Sequence, residues 1–240
     1  MIEKNSVKRE ILIDASIEKV WRALTVPEEL NRWYTEECEI DFRVGGRIKM
    51  VHGWGAWTSG TITEIVEQEK FAFQTGDHEY TVTTLTPVDN GVKVTVEYRM
   101  PFVGDEGMGM SENMAFGTDQ FLRNAKSVLE DGVDLRPTFW QSWLGVFNTA
   151  VRPDHDEQYG TTYGTLVLDV SDDSPAKACG LLVGDVITSV NGERVASHED
   201  LENCVWSVKP EQFLKLNILR GGQEKQLECQ VIAHPRGPGR

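Results

Sequence analysis

Basic side chains are scarce in this chain. Its 24 Lys and Arg face 38 Asp and Glu, a net charge of −14 over 240 residues. Both halves share the deficit: residues 1–137 balance to −9 and the remainder to −5. No basic stripe stands out, which argues against nucleic acid and against an anionic membrane surface as partners. Cysteine is also scarce. Cys38, Cys179, Cys204 and Cys229 lie far apart with no Cys-x-x-Cys pair, so a zinc ribbon and a thioredoxin-type motif are excluded. Cys179 and Cys204 fall in expected helices, where buried free thiols are common. No apolar run approaches the roughly 20 residues of a membrane span. The first ten residues, Met1 to Glu10, hold no signal-peptide core. A reducing cytoplasm is the expected compartment, with no membrane partner, no metal and no cofactor.

What is present is a globular composition, 40% hydrophobic and 26% charged, with room for two domains of ordinary size. In the first half, Val7 to Asp14 reads as a strand, Ser16 caps a helix carrying Val20, Trp21 and Leu24, and Pro27 opens a second short helix. Strand-like runs follow. Val92, Val94, Val96 and Tyr98 alternate with polar residues, the pattern of an antiparallel strand with one wet face. Glu112 to Asp131 is helical, with Phe121, Leu122, Ala125, Val128 and Leu129 on one stripe. The glycine-rich stretch Val103 to Met110 reads as a solvated loop or lid before it. Its Gly104-x-x-Gly107-x-Gly109 spacing lacks the Lys-Ser/Thr ending of a phosphate loop.

That element order is α+β, a helix-grip (Bet v 1-like, START-like) antiparallel sheet around a long C-terminal helix. The segments Ile13 to Trp33, Phe42-Arg-Val-Gly-Gly-Arg47, Gly60 to Ile65 and Lys70 to Phe73 resemble the SRPBCC superfamily, in its Aha1-like (activator of Hsp90 ATPase homologue) branch. The resemblance covers about residues 7 to 132. It implies a cavity between sheet and helix. Strand phase puts Ile48, Met50 and His52 on one face, and Trp54 and Trp57 follow between glycines. With Phe73, Tyr98, Met114 and Phe121 these are the candidate ligand-binding residues, suited to a small hydrophobic ligand. His52 is also the candidate centre of an enzyme, provided an oriented partner is found.

The second half carries Gly164 to Val195, which reads as strand, capped helix, strand and tight turn. Ser174 and Pro175 open the helix, Gly180 closes it, and Asn191-Gly192 favours a type I′ turn. This run resembles a PDZ domain of the bacterial HtrA type, a small mainly-β domain. The resemblance makes Trp143-Leu-Gly-Val146 the carboxylate-binding loop, whose backbone N–H groups receive a chain terminus. The strand Val146 to Val151 would offer its edge to the peptide, and the helix Ser197 to Ser207 would form the far wall through His198, Leu201 and Val205. The peptide-binding set is therefore Trp143, Leu144, Gly145, Val146, His198, Leu201 and Val205, with Trp206 assigned to packing. His155, between carboxylates in a polar loop, reads as a surface residue. The Gly-Asn-Ser-Gly-Gly nucleophile segment of an HtrA protease is not found in the sequence.

The expected organisation is a helix-grip domain over 1–136, a PDZ domain over 137–233 and a disordered tail over 234–240. The expected function is a non-enzymatic two-domain adaptor or sensor. The first domain holds a small hydrophobic ligand or a protein surface, and the second holds a protein with a free apolar C-terminus. The alternatives are a cyclase-like or hydrolase-like enzyme around His52, and an Hsp90-type co-chaperone.

Overall fold

A computed structural model describes residues 3–52 and 56–235. Trp54, with its flanking glycines, and tail residues 236–240 lie outside the described residues. The first domain opens with β1 (Glu3–Ile13), α1 (Ile17–Thr25) and α2 (Pro27–Leu30). The Ser16 hydroxyl accepts the Lys19 N–H at the start of α1, and Pro27 occupies the first turn of α2, where its missing N–H costs nothing. Six strands follow: β2 (Glu37–Ile40), β3 (Arg47–Val51), β4 (Trp57–Val66), β5 (Lys70–Gly76), β6 (Glu79–Val88) and β7 (Gly91–Val103). They form one antiparallel sheet in the order β1-β7-β6-β5-β4-β3-β2. The sheet curls around α3 (Gly104–Glu130). Phe121, Leu122, Ala125, Val128 and Leu129 of α3 are buried against Trp21, Ile48, Met50, Ile62, Phe73 and Val94. This is the helix-grip architecture.

The long helix begins eight residues earlier than Glu112. The glycine-rich stretch is its first turns and not a loop. Glycine lowers helix propensity by about 1 kcal/mol per residue relative to alanine, and packing overrides it here. A Cβ at Gly107 would lie 2.6 Å from the Phe102 carbonyl carbon, and one at Gly109 would lie 2.8 Å from the Asn148 carbonyl oxygen. These glycines serve close approach, which sequence periodicity does not report.

The second domain holds β8 (Ser142–Trp143), β9 (Val146–Ala150), α4 (Asp156–Tyr159), β10 (Thr165–Val170), α5 (Pro175–Ala178), β11 (Val186–Val190), β12 (Glu193–Arg194), α6 (His198–Trp206), β13 (Phe213–Arg220), β14 (Gln223–Gln230) and β15 (Ile232–Ala233). Its main sheet runs β14-β13-β11-β10-β9, with β12 paired to β11, so β9 is an edge strand. Ser174 caps α5 by accepting the Lys177 N–H. Asn191 and Gly192 both have positive φ, 52° and 86°, as a type I′ turn requires. Cys179 and Cys229, 50 residues apart, form a disulfide. The expected free thiol at Cys179 is therefore corrected: α5 and β14 bring two cysteines together that no local spacing relates.

Candidate functional site

The first domain encloses a cavity of about 100 Å³ between the sheet and α3. Met50, Phe73, Tyr98 and Phe121 line it, together with Leu24, Trp33, Tyr34, Phe71 and four threonines. At its mouth the Tyr98 hydroxyl lies 3.0 Å from Thr118 Oγ1, which donates to the Met114 carbonyl 2.7 Å away. Thr118 has one hydroxyl proton, so Tyr98 is the donor in that pair. Burial pushes both the Tyr34 and Tyr98 hydroxyls above their ordinary value, so they stay protonated.

His52 is buried but does not bound the cavity. Its ring packs on Tyr34, with centroids 4.8 Å apart, and Nε2 lies 3.1 Å from Thr58 Oγ1. Burial lowers its pKa to about 4. A neutral imidazole with so low a pKa is a weak base near neutrality. Trp57 is a correction: at 68% exposure it faces solvent, because its strand position has the opposite parity from the inward face. Met114 lies on a neighbouring hollow and not in the cavity.

That hollow, about 370 Å³, lies between the two domains. Tyr34, Tyr98, Thr118 and Phe121 line it on one side, and Trp143, Leu144, Gly145 and Val146 on the other. Gly145 has φ +86°, and a Cβ there would lie 2.3 Å from the Ser174 Cβ, so glycine alone permits this loop path. Among the described residues, no acceptor takes the Leu144 or Gly145 N–H. Val146 lies opposite Val170, and the Ser171 N–H bonds to the Gly145 carbonyl. That is a non-hydrogen-bonded pair, which turns the Val146 N–H away from β10 toward the open edge. Three successive N–H groups are therefore available to an acceptor, the Leu144 and Gly145 groups without one among the described residues and the Val146 group facing the open edge.

Family models divide the chain at this hollow. Residues 14–130 match "Activator of Hsp90 ATPase homolog 1-like protein" and residues 143–231 match "PDZ domain". The chain joins an activator-homologue domain to a PDZ domain. Over 97 residues it is 38% identical to a probable periplasmic serine endoprotease DegP-like of Pseudomonas fluorescens, covering 40% of this chain and 20% of that protein. A namesake in Ectopseudomonas mendocina is 37% identical over 130 residues, 53% of this chain and 26% of that one. The chain thus spans about a fifth to a quarter of these curated relatives. A structure from Staphylococcus saprophyticus aligns with a TM-score of 0.50 at 18% identity, covering 55% of this chain and 96% of its own. It shares the helix-grip fold. The pairing gives a two-domain chain, an Aha1-like domain followed by a PDZ domain.

Within the PDZ domain, helix phase corrects two candidate residues. Leu201 and Val205 are buried in the domain core with Leu214, Leu216 and Val231. The groove face of α6 is one residue out of step: His198, Glu202 and Trp206, at spacings of four, line the hollow. His198 Nδ1 lies 3.2 Å from Asn148 Oδ1, and burial lowers its pKa to about 4. Burial pushes the Glu202 carboxyl up to about 7, with the Trp206 indole acting against the shift. Glu202 was legible only as the residue at i+4 from His198, a spacing that the apolar stripe of the same helix obscures.

The β9 edge is also corrected, because α3 covers much of it. The Ala150 N–H donates to Glu112 at 2.9 Å, Gly109 sits on the Asn148 carbonyl, and the Phe116 ring lies 5.8 Å from His198 and 5.0 Å from Trp206. Trp206 joins Phe116, Phe139 and Trp140 in an aromatic cluster between the domains. Beyond it, Arg152 and His155 both bond to Asp105 on the first turn of α3. Burial alone would raise the Asp105 pKa, but these two partners hold it below the ordinary carboxylate value. His155 is therefore a buried interdomain contact and not a surface residue.

Proposed function

We propose that the chain is a non-enzymatic adaptor or sensor whose PDZ domain captures a protein C-terminus in competition with α3 of its own first domain. The observation that carries this reading is the half-covered groove. The Leu144–Val146 loop is open, while Asn148 and Ala150 of β9 are engaged by Gly109 and Glu112. A terminal peptide adds a strand along β9, so it gains full contact only when α3 withdraws. The enzyme reading has less support, because His52 stands off the cavity surface and is held neutral by burial. The co-chaperone reading rests on the family description alone.

The test uses the full chain with peptides ending in an apolar residue, as free acid and as C-terminal amide. Hydrogen bonds to a charged group are worth about 1.5–3 kcal/mol, so amidation should weaken binding about tenfold or more. Gly109→Ala, which pushes α3 off β9, should tighten binding of the free acid. Equal binding of acid and amide by both proteins, or no binding by either, would overturn the reading.

The cytoplasmic location expected from the sequence meets one opposing observation. The Cys179–Cys229 disulfide speaks for an oxidising location, since such bonds rarely persist in a reducing cytosol. Counting free thiols in protein isolated under thiol-trapping conditions decides it. Four free thiols support the cytoplasm, and two support the oxidising alternative.

A further inference from the structure

The Trp143 to Val146 loop rests on an element too short to hold itself. α5 is four residues, a single turn, and helix nucleation on that scale is unfavourable without tertiary support. The contact between them is direct. The Ala176 N–H donates to the Leu144 carbonyl at 2.9 Å, and the Ser171 N–H, on the segment leading into α5, donates to the Gly145 carbonyl at 3.0 Å. A Cβ at Gly145 would lie 2.3 Å from the Cβ of Ser174, the residue that caps α5. Whatever places α5 therefore places the loop.

Two side-chain links tie the end of α5 to the sheet. Arg220 Nη2 donates to the Gly180 carbonyl at 2.7 Å, and Cys179 is bonded to Cys229. The two ends of that disulfide are unlike. Cys229 is fully buried in β14, which pairs with β13 along its whole length from Gln223 to Gln230, so its place is fixed without the bond. Cys179 follows the single turn as its C-terminal cap and is partly exposed. Local opening concentrates in segments with few contacts of their own, so cutting the bond frees α5 and not β14.

We propose that the Cys179–Cys229 disulfide is a redox switch on the loop: closed, it holds α5 under Leu144 and Gly145, and opened, it slackens that turn and the loop upon it. The Arg220 link remains, so α5 loosens without detaching. The reductant is a dithiol. One of its sulfurs, as thiolate, attacks Cys179 Sγ; the S–S bond breaks and its electron pair leaves on Cys229 Sγ, which takes up a proton. The second dithiol sulfur then attacks the first and releases Cys179 as a thiol. Two electrons and two protons pass to the protein, and the reductant leaves as its own disulfide. Cys38 and Cys204 are thiols already, so the dithiol changes nothing there. The effect on a ligand rests on the reading that the loop receives a peptide terminus; the dependence of the loop on α5 does not.

The experiment measures backbone amide exchange in the full chain by NMR, with the disulfide intact and after reduction with dithiothreitol. The Ala176 and Ser171 N–H groups should exchange about tenfold or more faster in the reduced protein. Val167, whose N–H bonds to the Asp185 carbonyl at 2.8 Å in the domain core, should keep its rate. Re-oxidation should restore the slow exchange, and Cys179→Ser should show the fast exchange without dithiol. Unchanged exchange at Ala176 and Ser171 would overturn the proposal, showing a loop that stands without the bond. Equal acceleration at Val167 would overturn it too, showing a staple for the whole domain. A free-acid peptide ending in an apolar residue should bind the reduced chain about tenfold more weakly, and equal binding by both states would overturn the switch. No binding by either state would remove the peptide reading, and the exchange rates alone would then decide the switch.

Discussion

The two halves of α3 belong to different domains in all but sequence. From Phe121 to Leu129 the helix presents large apolar side chains to its own sheet and is held by core packing. From Gly104 to Gly117 it presents Gly109, Glu112 and Phe116 to the PDZ groove. The first half-helix is gripped by volume. The second is gripped by closeness, since small residues let one backbone approach another and place Glu112 on an edge N–H. The lesson is that a helix can complete one core and occlude another site without changing its backbone.

The largest expected effect comes from breaking the grip by volume. Leu122→Ala removes a side chain buried in the first core, and should cost about 2–5 kcal/mol in chemical denaturation, with the PDZ transition unmoved. The next tests both halves together. His52 and His198 have folded pKa values near 4, against about 6.5 unfolded. The unfolded chain therefore binds protons that the folded chain refuses. Stability should be full above pH 6.5 and fall progressively toward pH 4, by up to about 3 kcal/mol for each histidine. A pH series of denaturation midpoints checks this, and replacing both histidines by Gln should flatten it. A smaller effect comes from breaking the grip by closeness. Gly109→Ala adds a Cβ 2.8 Å from the Asn148 carbonyl oxygen, and overpacking of that kind costs about 1–3 kcal/mol. Small-angle scattering should show the domains opening. The smallest effect has the opposite sign. A Cβ at Gly117 meets nothing within 4 Å, so Gly117→Ala should stabilise the chain by about 0.5–1 kcal/mol through helix propensity alone. A gain at Gly109 equal to that at Gly117 would show that propensity and not approach governs this half of the helix.

The sequence by itself determined whatever acts within a few residues. Ser16 and Ser174 cap their helices, Asn191-Gly192 turns a hairpin, and the Val92 to Tyr98 alternation and the Phe121 to Leu129 stripe each name a buried face. These signals work through local backbone geometry and period, so a linear reading recovers them, and with them both domain folds. The candidate site was legible only in parts. Met50, Phe73, Tyr98 and Phe121 came from strand and helix phase, and Trp143 to Val146 from a contiguous motif. The tertiary structure alone decided the rest. It set Leu201 and Val205 into the PDZ core and turned Glu202 and Trp206 to the groove beside the expected His198, because an amphipathic helix shows its apolar stripe before its functional face. It joined Cys179 to Cys229, laid Gly109 on Asn148, and brought Asp105 to His155. Each of those pairs is about 40 to 50 residues apart. Contacts at that distance depend on how whole elements pack, and no local period carries that information.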